Sequence, residues 1–314
     1  MGRLGKKSHE DLYDVVIVGG GVAGLAGAMT AGQLGLQVLL LEKAVLGGSV
    51  AVLETVCEYP GIEKTGGWEL AQTLVKQARN AGCILHDSIE VTNLQGMKNS
   101  GFEIQCFGED IFEARSVIVS SGGQPRLLGL QDEGRFAQHG IHTCAQCAGA
   151  RYKGRNVAIA GNGSFAVRAA LHLVELCCRV FFITGDAKIL GDANLIKKLL
   201  SHRCFYFMGG SQVTKLLGKE DLQEIDVTDS ASGNLQKIKV AAVFVYSGIV
   251  PNSGILAAQK DAKGFLQVDE NFMTSLPGVF AAGRVVFDDL PIQIMIGDGS
   301  RAALSAAVWL QSDT

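Results

Sequence analysis

The sequence predicts an α/β protein with two Rossmann-like dinucleotide-binding domains, and three observations lead there. Near the N-terminus a β-branched run leads straight into a glycine turn and an alanine-rich helical pattern. The same arrangement recurs close to residue 160. At 314 residues and 47% hydrophobic, the chain is long enough to bury two cores of ordinary size. Its formal net charge of −3 offers no basic stripe for nucleic acid. Its eight cysteines lack the density of a small secreted scaffold, which places the chain in a reducing, cytoplasmic setting.

The elements follow in order. Residues 1–13 are polar and read as a frayed arm. Asp14-Val-Val-Ile-Val-Gly-Gly-Gly-Val-Ala-Gly then sets Gly19, Gly21 and Gly24 behind a strand and at the head of a helix, the context that GxGxxG needs. Gly19 permits the turn, Gly21 admits a pyrophosphate, and Gly24 lets the helix lie close to the strand. Amides at the helix start are free to hold the anion. Eighteen residues beyond Gly24, the strand Val38-Leu-Leu-Leu ends in Glu42, suited to ribose hydroxyls, followed by Lys43. The apolar residues 15–41 are thus strand, turn, helix and strand, broken by glycines, and neither a signal peptide nor a membrane span is expected.

The pair Cys144 and Cys147, in Cys-Ala-Gln-Cys, stands just before the second βαβ pattern. Such vicinal sulfurs close into a small disulfide ring with little backbone movement, a redox signature in this setting. Half of a zinc site and two ordinary core thiols are the other readings of a CxxC; zinc would need two more ligands, no second CxxC and no HxxxH occurs, and no metal is expected. The strand Asn156-Val-Ala-Ile-Ala leads into Gly161, Gly163 and Ala166 and then a helix through His172 and Glu175. Eighteen residues beyond Ala166 stands Thr184, where NAD would want an acid and a 2′-phosphate an arginine; Asp186 is two residues late, and Lys188 is the nearby cation. Cys177 and Cys178 continue the apolar helical run and are expected to pack in the core. Cys57 reads either as a buried small hydrophobe or as a third redox thiol.

With these residues in order, the chain resembles the low-molecular-weight thioredoxin reductases, a family of FAD flavoproteins. Further landmarks of the resemblance are Gly47-Gly48, Tyr59-Pro60-Gly61, Ser121-Gly122 and Pro277-Gly-Val-Phe-Ala-Ala-Gly283. The resemblance implies two three-layer (ββα) domains, one inserted in the other. An FAD domain would occupy 1–121 and 246–314, and a central domain carrying the CxxC would occupy 122–245. It implies FAD held in part by Gly122 and Gly283, a homodimer, Cys147 facing the flavin, and Cys144 attacking a thioredoxin-like partner.

The chain departs from that family at three places. The HRRxxxR segment that grips NADPH is missing from Ile183-Thr-Gly-Asp-Ala-Lys-Ile, so NADPH is expected to bind poorly. The acid after the CxxC is replaced by Ala148, so a proton must come from His142 or solvent, unless His142 is only a solvated loop residue. Gly283 is followed by Arg284 in place of the flavin-contacting Asp; the pyrophosphate, Asp288 and Asp289 are its candidate partners.

The expected activity is transfer of two electrons from FAD through Cys144 and Cys147 to a thioredoxin-like disulfide. The donor is expected to be a ferredoxin, or a second FAD seated at Gly161, Gly163 and Ala166, rather than NADPH. An ordinary NAD(P)H-dependent thioredoxin reductase and a non-enzymatic flavin-binding redox sensor are the alternatives.

Overall fold

A computed structural model describes residues 12–57, 59–97, 101–108, 110–288 and 290–312. The arm expected over residues 1–13 lies mostly outside them, but Leu12 and Tyr13 already belong to the first strand. In chain order the elements begin with β1 (Leu12–Val18), α1 (Val22–Gln33), β2 (Val38–Leu41), α2 (Gly48–Ala51), α3 (Gly67–Asn80), β3 (Ile84–His86), β4 (Val91–Gly96), β5 (Phe102–Cys106) and β6 (Ile111–Val119). A short strand β7 (Gly123–Pro125) leads into β8 (Ile141–His142), α4 (Ala145–Ala148), β9 (Asn156–Gly161), α5 (Ser164–Leu176), β10 (Arg179–Thr184), α6 (Ala193–Leu200) and β11 (Phe205–Gly209). Then come β12 (Ser211–Gly218), β13 (Leu222–Asp229), β14 (Leu235–Lys239), β15 (Ala242–Tyr246), β16 (Ile249–Pro251), β17 (Val279–Ala281) and α7 (Ile292–Ser312).

Two compact units result, residues 1–124 with 250–314, and residues 125–249. In the first, β3-β2-β1-β6 form a parallel sheet, continued antiparallel by β5 and β4, while β17 joins β6 in parallel beyond β5. The side-chain period of two splits β1 between two cores. Val15 and Ile17 face α1, α3 and α7, whereas Val16 and Val18 face the layer containing β4, β5 and Leu266. Strands buried on both faces are what a near-continuous apolar run encodes.

The second unit repeats the plan with an all-parallel sheet β11-β10-β9-β15-β8. Helices α5 and α6 cover one face. The antiparallel sheet β12-β13-β14 covers the other, where Ala158, Ala160 and Val243 meet Val213, Ile225 and Val227.

One expected element needs correction. Helix α5 stops at Leu176, because Cys177 turns extended (φ −98°, ψ 160°) and Cys178 N–H donates to Arg155 O at 3.0 Å on the way into β10. Cys177 is buried, but Cys178 is exposed and outside the core.

Candidate functional site

At the carboxyl ends of β1, β2 and β6, where open α/β sheets place their cofactors, the first unit has a cavity of about 200 Å³. Gly21, Glu42, Lys43, Gly48, Gly122 and Arg284 line it. Gly19 forms the turn below, and Gly24 lies where an added Cβ would stand 2.0 Å from Gly19 O and 2.6 Å from Ser120 Oγ. That approach lets α1 begin directly beside the strand end, while nothing stands within 4 Å of a Cβ placed on Gly21. Gly47 caps α2 and bridges to Gly21, and Gly283 follows the cavity-lining Ala282. Glu42 is buried, its two carboxylate oxygens accepting Gly20 N–H at 2.7 Å and Ala44 N–H at 2.8 Å. Each oxygen keeps a lone pair for a hydroxyl. Ser121, one of the landmarks, and Asn252, which motif reading does not single out, also form wall, their side chains each bonding the other's carbonyl at 2.8 and 2.9 Å. Asp289, a candidate partner for Arg284, lies outside the described residues.

This cradle fits FAD. It has an open approach at Gly21, an acid at the end of β2, and amides at the head of a 12-residue helix. On α7, Asp298 Oδ2 is buried without a hydrogen-bond partner, one turn beyond the cavity-lining Met295. Burial pushes the Asp298 carboxyl up.

In the second unit Cys144 and Cys147 are joined as a disulfide with Cα atoms 5.4 Å apart. Cys144 caps α4, its sulfur accepting Cys147 N–H at 3.1 Å, and both residues are half-buried. The peptide between them is pinned by Tyr246, whose hydroxyl accepts Ala145 N–H at 3.0 Å. Tyr246 ends β15 opposite Gly161, and a Cβ on Gly161 would stand 2.0 Å from Tyr246 O. One strand end therefore sets both the CxxC and the second glycine turn. Gly163 caps α5, and Ala166 is fully buried on that helix's first turn.

His142 is a correction to the solvated-loop reading. It sits on β8 with 4% exposure, bonded through Nε2 to Tyr152 Oη at 2.6 Å and packed on Phe244. Burial, with Arg151 adding to it, holds His142 below the ordinary histidine range. The sign follows. An unfolded chain takes up this proton as pH falls through about 6.5, and the folded chain does so only lower, so stability is lost on acidification. Thermal melts of the parent should fall between pH 7.5 and 5.5 by more than those of His142→Gln, the difference reaching at most about 1.4 kcal/mol per pH unit.

The remaining cysteines divide by exposure. Burial pushes the Cys83 thiol up to about 11, Cys106 to about 12 and Cys177 to about 11, leaving them protonated and inert. Cys57 is exposed rather than a buried small hydrophobe, because the chain around it runs as bends and a single bridge, Val56 to Thr65, that turns only Val56 inward. Among the described residues no group of three His, Cys, Asp or Glu side chains is placed to hold a metal, and no helix is long and apolar enough to cross a membrane. A larger cavity, about 550 Å³ between Arg179, Tyr206 and Lys237, opens at the amino ends of β9 and β10, the wrong edge of the sheet for a dinucleotide.

The family model described as "Pyridine nucleotide-disulphide oxidoreductase" matches residues 13–307. The thioredoxin reductase of Treponema pallidum is 30% identical over 303 residues, covering 96% of this chain and 98% of its own length. The crystal structure of T. acidophilum thioredoxin reductase superposes with a TM-score of 0.83 at 30% identity, covering 97% of this chain and all of that one. That of Lactococcus lactis thioredoxin reductase gives 0.85 at 26% identity, covering 96% and 99%.

Proposed function

The chain belongs to the pyridine nucleotide-disulphide oxidoreductase family as a flavoprotein disulfide reductase, and on that premise we propose that it reduces a thioredoxin-like protein with electrons from a donor other than NADPH. The bonded Cys144–Cys147 pair carries the reading: it is half-exposed, and the same strand end holds it and the glycine turn. FAD, when bound, supplies two electrons and a place to store them.

The chain's own residues do the rest. Two electrons and two protons open the Cys144–Cys147 bond to two thiols. The Cys144 thiolate attacks the partner's disulfide, forming a mixed disulfide and releasing one partner thiolate. Cys147 then attacks the Cys144 sulfur, restoring the internal disulfide and releasing the second partner thiolate. Ala148 offers no proton and is packed with Ala145 and Tyr152, so thiolate protonation falls to solvent reaching the half-buried sulfurs. His142, held neutral beneath Tyr152, shapes that site rather than charging it. We take the working unit to be a homodimer.

The missing arginines after β10 support a ferredoxin-type donor or a relay through a second FAD, and Gly161, Gly163 and Ala166 are the turn that the second arrangement would use. The visible spectrum and released flavin per chain, followed by anaerobic addition of NADPH, NADH or reduced ferredoxin, test this. Bleaching by reduced ferredoxin and not by NADPH is the expected outcome. Bleaching by stoichiometric NADPH would restore an ordinary NADPH-dependent reductase.

A further inference from the structure

The second glycine turn is bound by the chain itself. Asn162, the residue between Gly161 and Gly163, makes four hydrogen bonds. Its Nδ2 donates to Asp186 Oδ2 at 2.8 Å and to Lys188 O at 3.0 Å. Its Oδ1 accepts Gly163 N–H at 3.0 Å and Leu190 N–H at 2.9 Å. One side chain thus ties residues 186–190 to the turn.

Both ends of that segment are anchored independently. Asp186 O accepts Gly210 N–H at 3.0 Å from the end of β11, and its carboxylate also accepts Thr184 Oγ1 at 3.3 Å. Asp192 caps α6, accepting Asn194 and Leu195 N–H at 2.9 and 3.0 Å. The strap between them crosses the head of α5, where a Cβ on Gly191 would stand 3.7 Å from Ser164 Cα and 3.8 Å from its nitrogen. Space beside Gly163 itself stays open, so the turn keeps its shape while the helix head is roofed.

A dinucleotide needs that helix head for its pyrophosphate and the end of β10 for its ribose. Here Thr184 and Asp186 bond each other, Asp186 also accepts from Asn162, and one of the opening amides, Gly163 N–H, is already used. We infer that Asn162 is a specificity-determining residue that latches the strap of residues 186–191 over the second glycine turn and excludes dinucleotides, a second FAD included, from the central domain. The inference rests on the reading of this domain as a dithiol carrier and narrows it to one flavin per chain and a protein donor.

Only a minor, unlatched population is competent to bind, so the apparent affinity falls by that fraction. Calorimetric titration of NADH, which needs no 2′-phosphate clamp, into the flavin-loaded parent and Asn162→Gly tests this. Binding in the variant should be at least about tenfold tighter, with faster hydrogen exchange at Leu190. Asp186→Ala, which frees the same side chain at one end, should give a smaller gain in the same direction and decides the matter if the glycine variant does not fold. Micromolar NADH binding by the parent would overturn the inference. So would a loosened strap with unchanged NADH affinity, which would place the exclusion in the missing acid at Thr184. No dithiol takes part in this titration, so its failure is distinct from failure of the reductase reading.

Discussion

Replacing Cys147 by Ser is expected to lower reduction of a thioredoxin-like disulfide by at least about 10³-fold, because losing the covalent nucleophile removes the route rather than slowing it. Without Cys147 the mixed disulfide on Cys144 has no internal thiol to resolve it. No other described cysteine can substitute from the core, since Cys83, Cys106 and Cys177 are buried with thiols pushed up to about 11, 12 and 11. Flavin content and thermal stability should change little, because the pair lies half-exposed on the four-residue helix α4, in a unit distinct from the cradle at Gly21. Steady-state reduction by a chemically reduced donor, together with the flavin absorbance of the same preparation, checks both halves. Retained activity in Cys147→Ser would end the dithiol reading.

Gly24→Val is expected to empty the flavin site and destabilise the first unit. An added Cβ at Gly24 meets Gly19 O at 2.0 Å and Ser120 Oγ at 2.6 Å, and the first of these is backbone. Relief requires α1 to move away from β1, and with it the helix head and the opening at Gly21. Overpacking of this kind costs roughly 3 kcal/mol, a fall in Tm of roughly 6–12 °C for a domain of this size. The ratio of flavin to protein absorbance and a thermal melt read the two effects separately. Gly21→Ala, with open space at its Cβ, should leave the melt unchanged and weaken only flavin retention.

What could be read from the chain is what depends on neighbours in sequence. The run Val15 to Val18 is a buried strand because four consecutive apolar residues serve two cores, and the glycines after it sit at a strand-to-helix junction whatever surrounds them. The CxxC closes because its sulfurs are three residues apart. The exposure of Cys57 and Cys178 and the burial of His142 were not legible, since each depends on where the chain goes next: into bends, into β10, or beneath Tyr152 and Phe244.

An α/β chain with two glycine turns, a CxxC pair and no HRRxxxR segment after β10 follows from residues that are neighbours in sequence. How those parts are held depends on contacts between segments far apart in the chain. Tyr246 reaches Ala145 across 101 residues, Arg155 O ends the register of α5, and Asn162 binds a strap 24 to 28 residues away. Strand and helix patterns arise from local periodicity, whereas a hydrogen bond between side chain and distant backbone exists only once packing brings the two within about 3 Å.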